Sequence, residues 1–408
     1  MKKDTLSNGT ELAKIIIVLM FIVPMSLKAQ PFTKKYIMSY HTCGTGCTGF
    51  TDHLVNLAES NDGINWTTVP NFTSYLGSVP DVIIRRNKLY LYNPGKVKRY
   101  NNSTGLWDIT TSKVTIIDSI GGNVNFVDPS AIIDNSGKIV LFYLNSSGIP
   151  MGQDPAGCST YPCIKRFDSA TEVDGSDGTQ FLQNSGHRAS FTLTSTSTSD
   201  PDIYYDGSKY ILYISKGTNT YAYQCNTLNG TYTAMPNLTN GLLTSQGGIP
   251  CGYYDPTSNK YWTYVHANVS GSTVIRQAIH SNFNSQLTTF NTVISASIMA
   301  KPTGTTTESP GFCTNDFLVT SLSKKEITNI NIFPNPTSDL VTLELKDVDY
   351  RDMNVEIQNT LGQRVFFQTL RNVKNYTIDL SKYAVGVYSV SLNIDNAVFY
   401  NKKLILQR

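Results

Sequence analysis

The chain has 408 residues, of which 40% are hydrophobic and only 15% charged, so it is too apolar to be a charge-solvated disordered chain. Its 33 Lys and Arg residues nearly balance its 30 Asp and Glu residues, which excludes an electrostatic case for nucleic-acid binding. The 24 tyrosines and 17 phenylalanines favour strands over helices, and the sequence predicts an all-β protein.

Residues 1–29 are expected to be a secretory signal peptide. Lysines flank the start of the apolar run Ile15–Val23, which is too short to span a bilayer. Cleavage is expected after Ala29, although Leu27 departs from the usual small-residue pattern. An uncleaved membrane anchor is the alternative. No later stretch has the length and apolarity of a transmembrane segment, so none is expected after signal removal.

A repeated unit organises residues 30–320, for which we predict a five-bladed β-propeller. In each unit a proline opens one strand, a turn follows, and a second strand begins with lysine and is rich in aromatic residues. Units that cannot bury their own faces must stack, and radial stacking produces a propeller. A two-sheet sandwich is the alternative, but it does not explain the repeat. The repeated prolines are Pro80, Pro129, Pro201, Pro250 and Pro310.

The fifth unit is split between the two ends of this region. The strand at Pro310 has no partner after it, and the expected partner is Lys35–Tyr40 at the other end, which would close the ring. The segment Ser60–Trp66 (SNDGINW) resembles the Asp-box-like turn of sugar-active propellers and is expected to be a structural turn.

Acidic residues stand at the starts of the predicted inner strands, which converge on the axis of a propeller. Repulsion among them would raise the pKa of at least one, and glycosidic cleavage requires one protonated acid and one ionised carboxylate. An Asp before Pro also caps strand entries, so a structural role is the alternative. The residues expected at one mouth of the central channel are Asp81, Asp128, Asp200, Asp202 and Glu308.

The Asp-Pro strand starts and the SNDGINW turn resemble the five-bladed propeller glycoside hydrolases of the arabinanase and β-xylosidase type. The resemblance implies an inverting O-glycosyl hydrolase with Asp128 as base, Asp200 as the residue that tunes the pKa, and Glu308 as acid. That family uses its first, third and fourth units, whereas these residues lie on the second, third and fifth. A cyclic shift restores the spacing but places Glu308 in the base position and Asp200 in the acid position.

Polysaccharide or oligosaccharide is the expected partner, and no cofactor or metal is expected. The alternative function is a non-catalytic carbohydrate-binding or adhesin propeller, which would bind glycans without turnover. The residues expected to contact sugar are Asp81, Asp202, His41 and His266.

Seven cysteines are compatible with an oxidising, extracytoplasmic compartment. The short spacings predict local disulfides Cys43–Cys47 and Cys158–Cys163. Cys225 and Cys251 are a candidate pair across strands, which leaves Cys313 as the odd cysteine.

A separate module follows the polar linker at residues 321–326. Residues 327–408 alternate between apolar and polar positions and predict a small β-sandwich. The segments FPNPTSD, LGQ, GVYSV and KKLIL are similar to the type A C-terminal sorting domain of the type IX secretion system. The resemblance implies a Bacteroidota-type bacterium, export via the periplasm to the medium or outer cell surface, and removal of the domain on arrival. An ordinary carbohydrate-binding sandwich is the alternative.

Overall fold

The computed structural model describes residues 31–44, 50–148, 155–318, 330–345, 353–360, 363–370, 373–394 and 398–408. Regular structure in these residues is almost entirely β-strand, which confirms the predicted all-β class. The expected signal peptide and the expected linker lie outside the described residues.

Residues 31–318, as far as they are described, form five mainly antiparallel sheets. The first has the order β26–β1–β2–β3, with β4 also paired to β2. The second has the order β5–β6–β7–β8, with β9 also paired to β7. The strands of the first sheet are β1 (Tyr36–Cys43), β2 (Leu54–Ser60), β3 (Thr67–Thr68), β4 (Tyr75–Leu76) and β26 (Thr306–Thr314). Those of the second are β5 (Asp81–Arg85), β6 (Lys88–Asn93), β7 (Lys96–Asn101), β8 (Leu106–Trp107) and β9 (Ser112–Lys113).

The third sheet is the largest of the five, because β10 and β11, which precede its inner strand in the chain, extend the outer edge formed by the insertion between the second and third predicted units. Its order is β11–β10–β15–β14–β13–β12, with β16 also paired to β14. The pair β10–β15 is parallel and the other pairs are antiparallel. Its strands are β10 (Thr115–Ile117), β11 (Asn123–Val124), β12 (Phe126–Ile133), β13 (Ile139–Asn145), β14 (Cys163–Glu172), β15 (Gln180–Gln183) and β16 (Ala189–Leu193).

The fourth and fifth sheets repeat the simpler pattern. Their orders are β17–β18–β19–β20, with β21 also paired to β19, and β22–β23–β24–β25. The strands of the fourth are β17 (Thr198–Tyr205), β18 (Tyr210–Lys216), β19 (Asn219–Cys225), β20 (Thr233–Ala234) and β21 (Leu242–Thr244). Those of the fifth are β22 (Gly248–Asp255), β23 (Lys260–Val269), β24 (Ser272–His280) and β25 (Asn291–Ile294).

The inner strands of these sheets form a closed ring. In cyclic order β5 contacts β12, β12 contacts β17, β17 contacts β22, β22 contacts β26, and β26 contacts β5. The ring closes because β26 pairs antiparallel with β1, with Cys313 opposite Ile37. This pairing confirms the predicted union of strands from the two ends of the region, and the arrangement is that of a β-propeller.

Apolar side chains fill the spaces between neighbouring sheets. In β13 the alternate residues Ile139, Leu141 and Tyr143 pack against the second sheet, while the residues between them pack against the fourth. Both faces of such a strand are buried, which explains why these strands are apolar at consecutive positions instead of alternating.

The SNDGINW segment forms a turn that joins two sheets. The Asp62 carboxylate accepts the backbone N–H groups of Ile64 and Asn65 at 2.9 and 2.8 Å. The Gly63 carbonyl accepts the Trp66 Nε1–H and the Tyr264 hydroxyl of the fifth sheet, both at 2.9 Å. The turn therefore has the structural role expected from the sequence.

The C-terminal module contains two further sheets around one apolar core. Their orders are β27–β28–β31 and β30–β29–β32–β33. Val341, Val355 and Leu404 are among the fully buried residues of the core. The strands are β27 (Ile330–Phe333), β28 (Leu340–Leu345), β29 (Met353–Asn359), β30 (Arg364–Leu370), β31 (Asn375–Asp379), β32 (Gly386–Ile394) and β33 (Val398–Leu406).

The cysteines agree only partly with the sequence prediction. Cys158 and Cys163 form the predicted disulfide. Cys43 is disulfide-bonded, and its predicted partner Cys47 lies outside the described residues. The predicted pairing of Cys225 with Cys251 is wrong, because both thiols are free. Cys251 lies on an inner strand, whereas Cys225 ends the third strand outward from the axis in the neighbouring sheet. Cys313 is also free.

Candidate functional site

The residue before each repeated proline has a left-handed backbone, with φ between 44° and 53°. This conformation is rare for residues other than glycine and is most strained for β-branched residues such as Val79 and Ile249. Where β12, β17 and β22 pair with their neighbours, the register shifts at the same place. Such bulges redirect side chains. The five residues are Val79, Asp128, Asp200, Ile249 and Ser309.

All five left-handed residues line one cavity at the axis of the ring, together with the five repeated prolines. The cavity holds about 270 Å³, open solvent at its mouth included. Four of the lining residues are aspartates, and the structure thus brings together Asp81, Asp128, Asp200 and Asp202.

Asp128 and Asp200 lie side by side on adjacent inner strands. The Asp200 backbone N–H donates to Asp128 Oδ2 at 3.3 Å, and the Ser199 hydroxyl donates to Asp200 Oδ2 at 2.5 Å. Burial raises the pKa of Asp200 to about 6, although the Ser199 hydroxyl and the nearby His41 oppose the rise. Asp200 is therefore a carboxylic acid that keeps its proton in mildly acidic solution.

Glu308 has the opposite electrostatic character. It precedes the cavity-lining Ser309 and its side chain is 19% exposed. Its Oε2 lies 3.7 Å from His41 Nε2 and 3.5 Å from His266 Nδ1, so both histidines expected near the mouth lie at this carboxylate. Burial alone would raise the pKa of Glu308, but His41 and His266 lower it to about 2.

Asp81 and Asp202 join neighbouring sheets as well as lining the cavity. Asp81 Oδ2 accepts the Ala131 N–H at 2.6 Å, and Asp202 Oδ2 accepts the Gly252 N–H at 2.8 Å. Each aspartate directly follows a repeated proline and accepts a hydrogen bond from a backbone N–H of the next inner strand. Burial raises the pKa of both, that of Asp202 to about 7, and the Asp202 charge raises the pKa of Asp81 further. Their observed bonds hold the ring together.

Two features of the site have no signal in the sequence. His53 stacks on His41 with ring centroids 4.2 Å apart, but no motif or spacing singles it out. The strained positions Val79 and Ile249 precede repeated prolines that are visible in the sequence, yet local preferences argue against their conformation.

Within the described part of the chain, no group of three or more His, Cys, Asp or Glu side chains is arranged to hold a metal ion. The acidic segment of the insertion makes ion pairs instead: Asp177 binds Lys88 and Arg99, and Asp174 binds Lys138.

Residues 331–407 match the family described as a secretion system C-terminal sorting domain. The chain thus carries an export signal of the type IX system, which delivers proteins to the cell surface or the extracellular space, and the resemblance found in the sequence is confirmed. No helix in the described residues is long and apolar enough to span a membrane.

One curated relative is the endo-acting ulvan lyase of Formosa agariphila, which is 30% identical over 80 residues. The match covers 20% of this chain and 15% of the lyase, so the chain corresponds to only a small part of that relative.

Several solved structures are similar to the chain. The GH43_1 enzyme from Xanthomonas citri complexed with xylose is 13% identical, with 64% of this chain and 89% of that chain covered and a TM-score of 0.43. Zg3597, a family 117 glycoside hydrolase from Zobellia galactanivorans, is 16% identical, with 70% and 71% covered and a TM-score of 0.30. Likenesses at these scores are no basis for assigning an activity.

Proposed function

We propose that this exported propeller is a glycoside hydrolase acting on polysaccharide. The observation that supports the proposal is the contrast between two carboxyl groups near one cavity: Asp200, with a pKa of about 6, and Glu308, with a pKa of about 2. Between these values one group is protonated while the other is ionised, which is the state that glycosidic cleavage requires.

The proposed roles follow from these protonation states. Asp200 donates its proton to the glycosidic oxygen as the leaving sugar departs. Glu308 accepts a proton from the water that attacks the anomeric carbon. Asp128, which lies against Asp200, tunes the acid. This is the cyclically shifted assignment, since Glu308 with its pKa of about 2 is ionised at the pH where Asp200 keeps its proton, so that Asp200 and not Glu308 can act as the acid.

The test is release of reducing sugar from arabinan, xylan and galactan by the purified full chain. Wild-type protein is expected to release sugar, and Asp200→Asn and Glu308→Gln are expected to reduce the rate about 10²–10⁴-fold. Asp174→Asn, an exposed carboxylate in the insertion, is the control and is expected to keep full activity. Release unchanged in both site variants would overturn the assignment. For a single displacement by water, proton NMR of the first product should show inversion at the anomeric carbon.

A non-catalytic carbohydrate-binding propeller is the second candidate. The observation that favours it is that apolar Val79 and Ile249 occupy two of the five equivalent positions around a small cavity. This candidate requires binding to one of the same glycans in affinity electrophoresis without any release of sugar, and turnover by the wild-type protein would exclude it.

A further inference from the structure

The His41 ring has a defined tautomer. The Val79 backbone N–H donates to His41 Nδ1 at 3.0 Å, so this nitrogen accepts a hydrogen bond and carries no proton when the ring is neutral. The neutral imidazole must then carry its proton on Nε2. Nε2 is the atom that faces Glu308, because strand pairing places His41 directly opposite Glu308.

The donor of this hydrogen bond belongs to a strained residue. Val79 has a φ of 44°, and Pro80, which follows it, has no N–H to offer. The bond links the start of the second sheet to the first sheet, and it lies beside the cavity. Strain of this kind persists where surrounding contacts maintain it, and it concentrates at functional sites.

Further groups surround the same carboxylate. His266 on β23 approaches Oε2 from the fifth sheet, and His53 stacks on the His41 ring with ring planes 15° apart. Burial lowers the pKa of His53 and of His266. Asp200 on β17 is close enough for the charge of Glu308 to raise the pKa of Asp200. A neutral His41 with its proton on Nε2 is a donor to this carboxylate, and a donor of this kind favours the ionised form.

We propose that His41 is a positioning residue: the Val79 N–H fixes its tautomer, and its Nε2–H holds Glu308 Oε2 so that the carboxylate meets the attacking water ionised and correctly oriented. The inference rests on the proposed hydrolase function for its role in the reaction. The Nε2–Oε2 distance of 3.7 Å is longer than a hydrogen bond, and contacts of this kind tighten when substrate binds.

The experiment is NMR on the full chain and needs no substrate. Nitrogen-15 spectra of the wild-type histidines are expected to show an unprotonated Nδ1 and a protonated Nε2 for His41 at neutral pH. Carbon-13 titration of the glutamate carboxyl groups, with Glu308→Gln used to assign the signal, is expected to place Glu308 near pH 2. The opposite tautomer, or titration of Glu308 near its usual 4.5, would overturn the proposal.

Two variants separate positioning from packing. His41→Ala is expected to raise the pKa of Glu308 by about one unit or more, and His41→Gln, which keeps a donor near the Nε2 position, is expected to raise it less. His280→Gln, a partly buried histidine at the other end of the fifth sheet, is expected to change nothing at Glu308. Equal titration in wild type and His41→Ala would refute the inference. Because sugar release is not measured, these results stand apart from any failure of the proposed function.

Discussion

Gly311 lies against Asp81 where the ring closes. A Cβ atom at position 311 would come within 2.4 Å of Asp81 Oδ1 and 2.6 Å of Ser39 Oγ. Gly311 directly follows the last repeated proline. At the equivalent position, directly after their own repeated prolines, the second and fourth sheets carry Asp81 and Asp202. The ring therefore accommodates the Asp81 side chain by having none at the corresponding position of β26.

The substitution Gly311→Ala is expected to destabilise the protein by about 1–3 kcal/mol, because the added methyl group meets the Asp81 backbone as well as its carboxylate. Urea unfolding of the variant measures the loss. Gly44→Ala is the control, since a Cβ there meets no atom of the described residues within 4 Å and the change should be nearly neutral. Equal stability of Gly311→Ala and wild type would contradict the close contact.

Asp202 is expected to make stability depend on pH. Its pKa is about 7 in the folded protein against a usual 3.8, so the folded state holds a proton that the unfolded state releases. The stability from this proton is fully present below pH 3.8 and is lost as the pH rises through 7. The melting temperature of wild type should therefore fall more between pH 4 and 8 than that of Asp202→Asn, which keeps an acceptor for the Gly252 N–H. Asp174→Asn should follow wild type, and parallel curves for Asp202→Asn and wild type would refute the expectation.

Hydrolysis is expected to be fastest in acidic solution. Activity should fall above about pH 6 as Asp200 loses its proton, and below about pH 2 as Glu308 gains one. The dependence of kcat/KM on pH measures both limits. A rate that increases from pH 6 to pH 8 would show that Asp200 is not the proton donor.

Tyr264→Phe is expected to cost about 1–3 kcal/mol, because removing the hydroxyl leaves the buried Gln277 Nε2 without the acceptor it has at 2.9 Å. The hydroxyl also donates to the Gly63 carbonyl of the SNDGINW turn. Thermal unfolding tests the change. Tyr205→Phe, whose hydroxyl is bonded within an exposed turn, serves as the comparison and should alter stability little; equal effects of the two substitutions would contradict the prediction.

The sequence predicted the propeller because each inner strand begins in the same way, with a proline that does not have to donate a hydrogen bond to the neighbouring strand. It also placed the aspartates together, since equivalent positions of a ring meet at its axis. The left-handed backbone at Val79 and Ile249 was not predictable, because the closed ring imposes it against local preference. The Cys225–Cys251 pairing failed because counting cysteines takes no account of their distance from the axis.

The antiparallel pairing of β26 with β1 has a consequence for biogenesis. The strand that completes the first sheet is the last to be synthesised before the sorting domain, so a nascent or truncated chain that ends before residue 306 has four complete sheets and one open edge. Such a chain exposes a strand able to pair with other molecules until synthesis passes that point. Completion of the cavity therefore requires synthesis of β26, the last strand before the sorting domain.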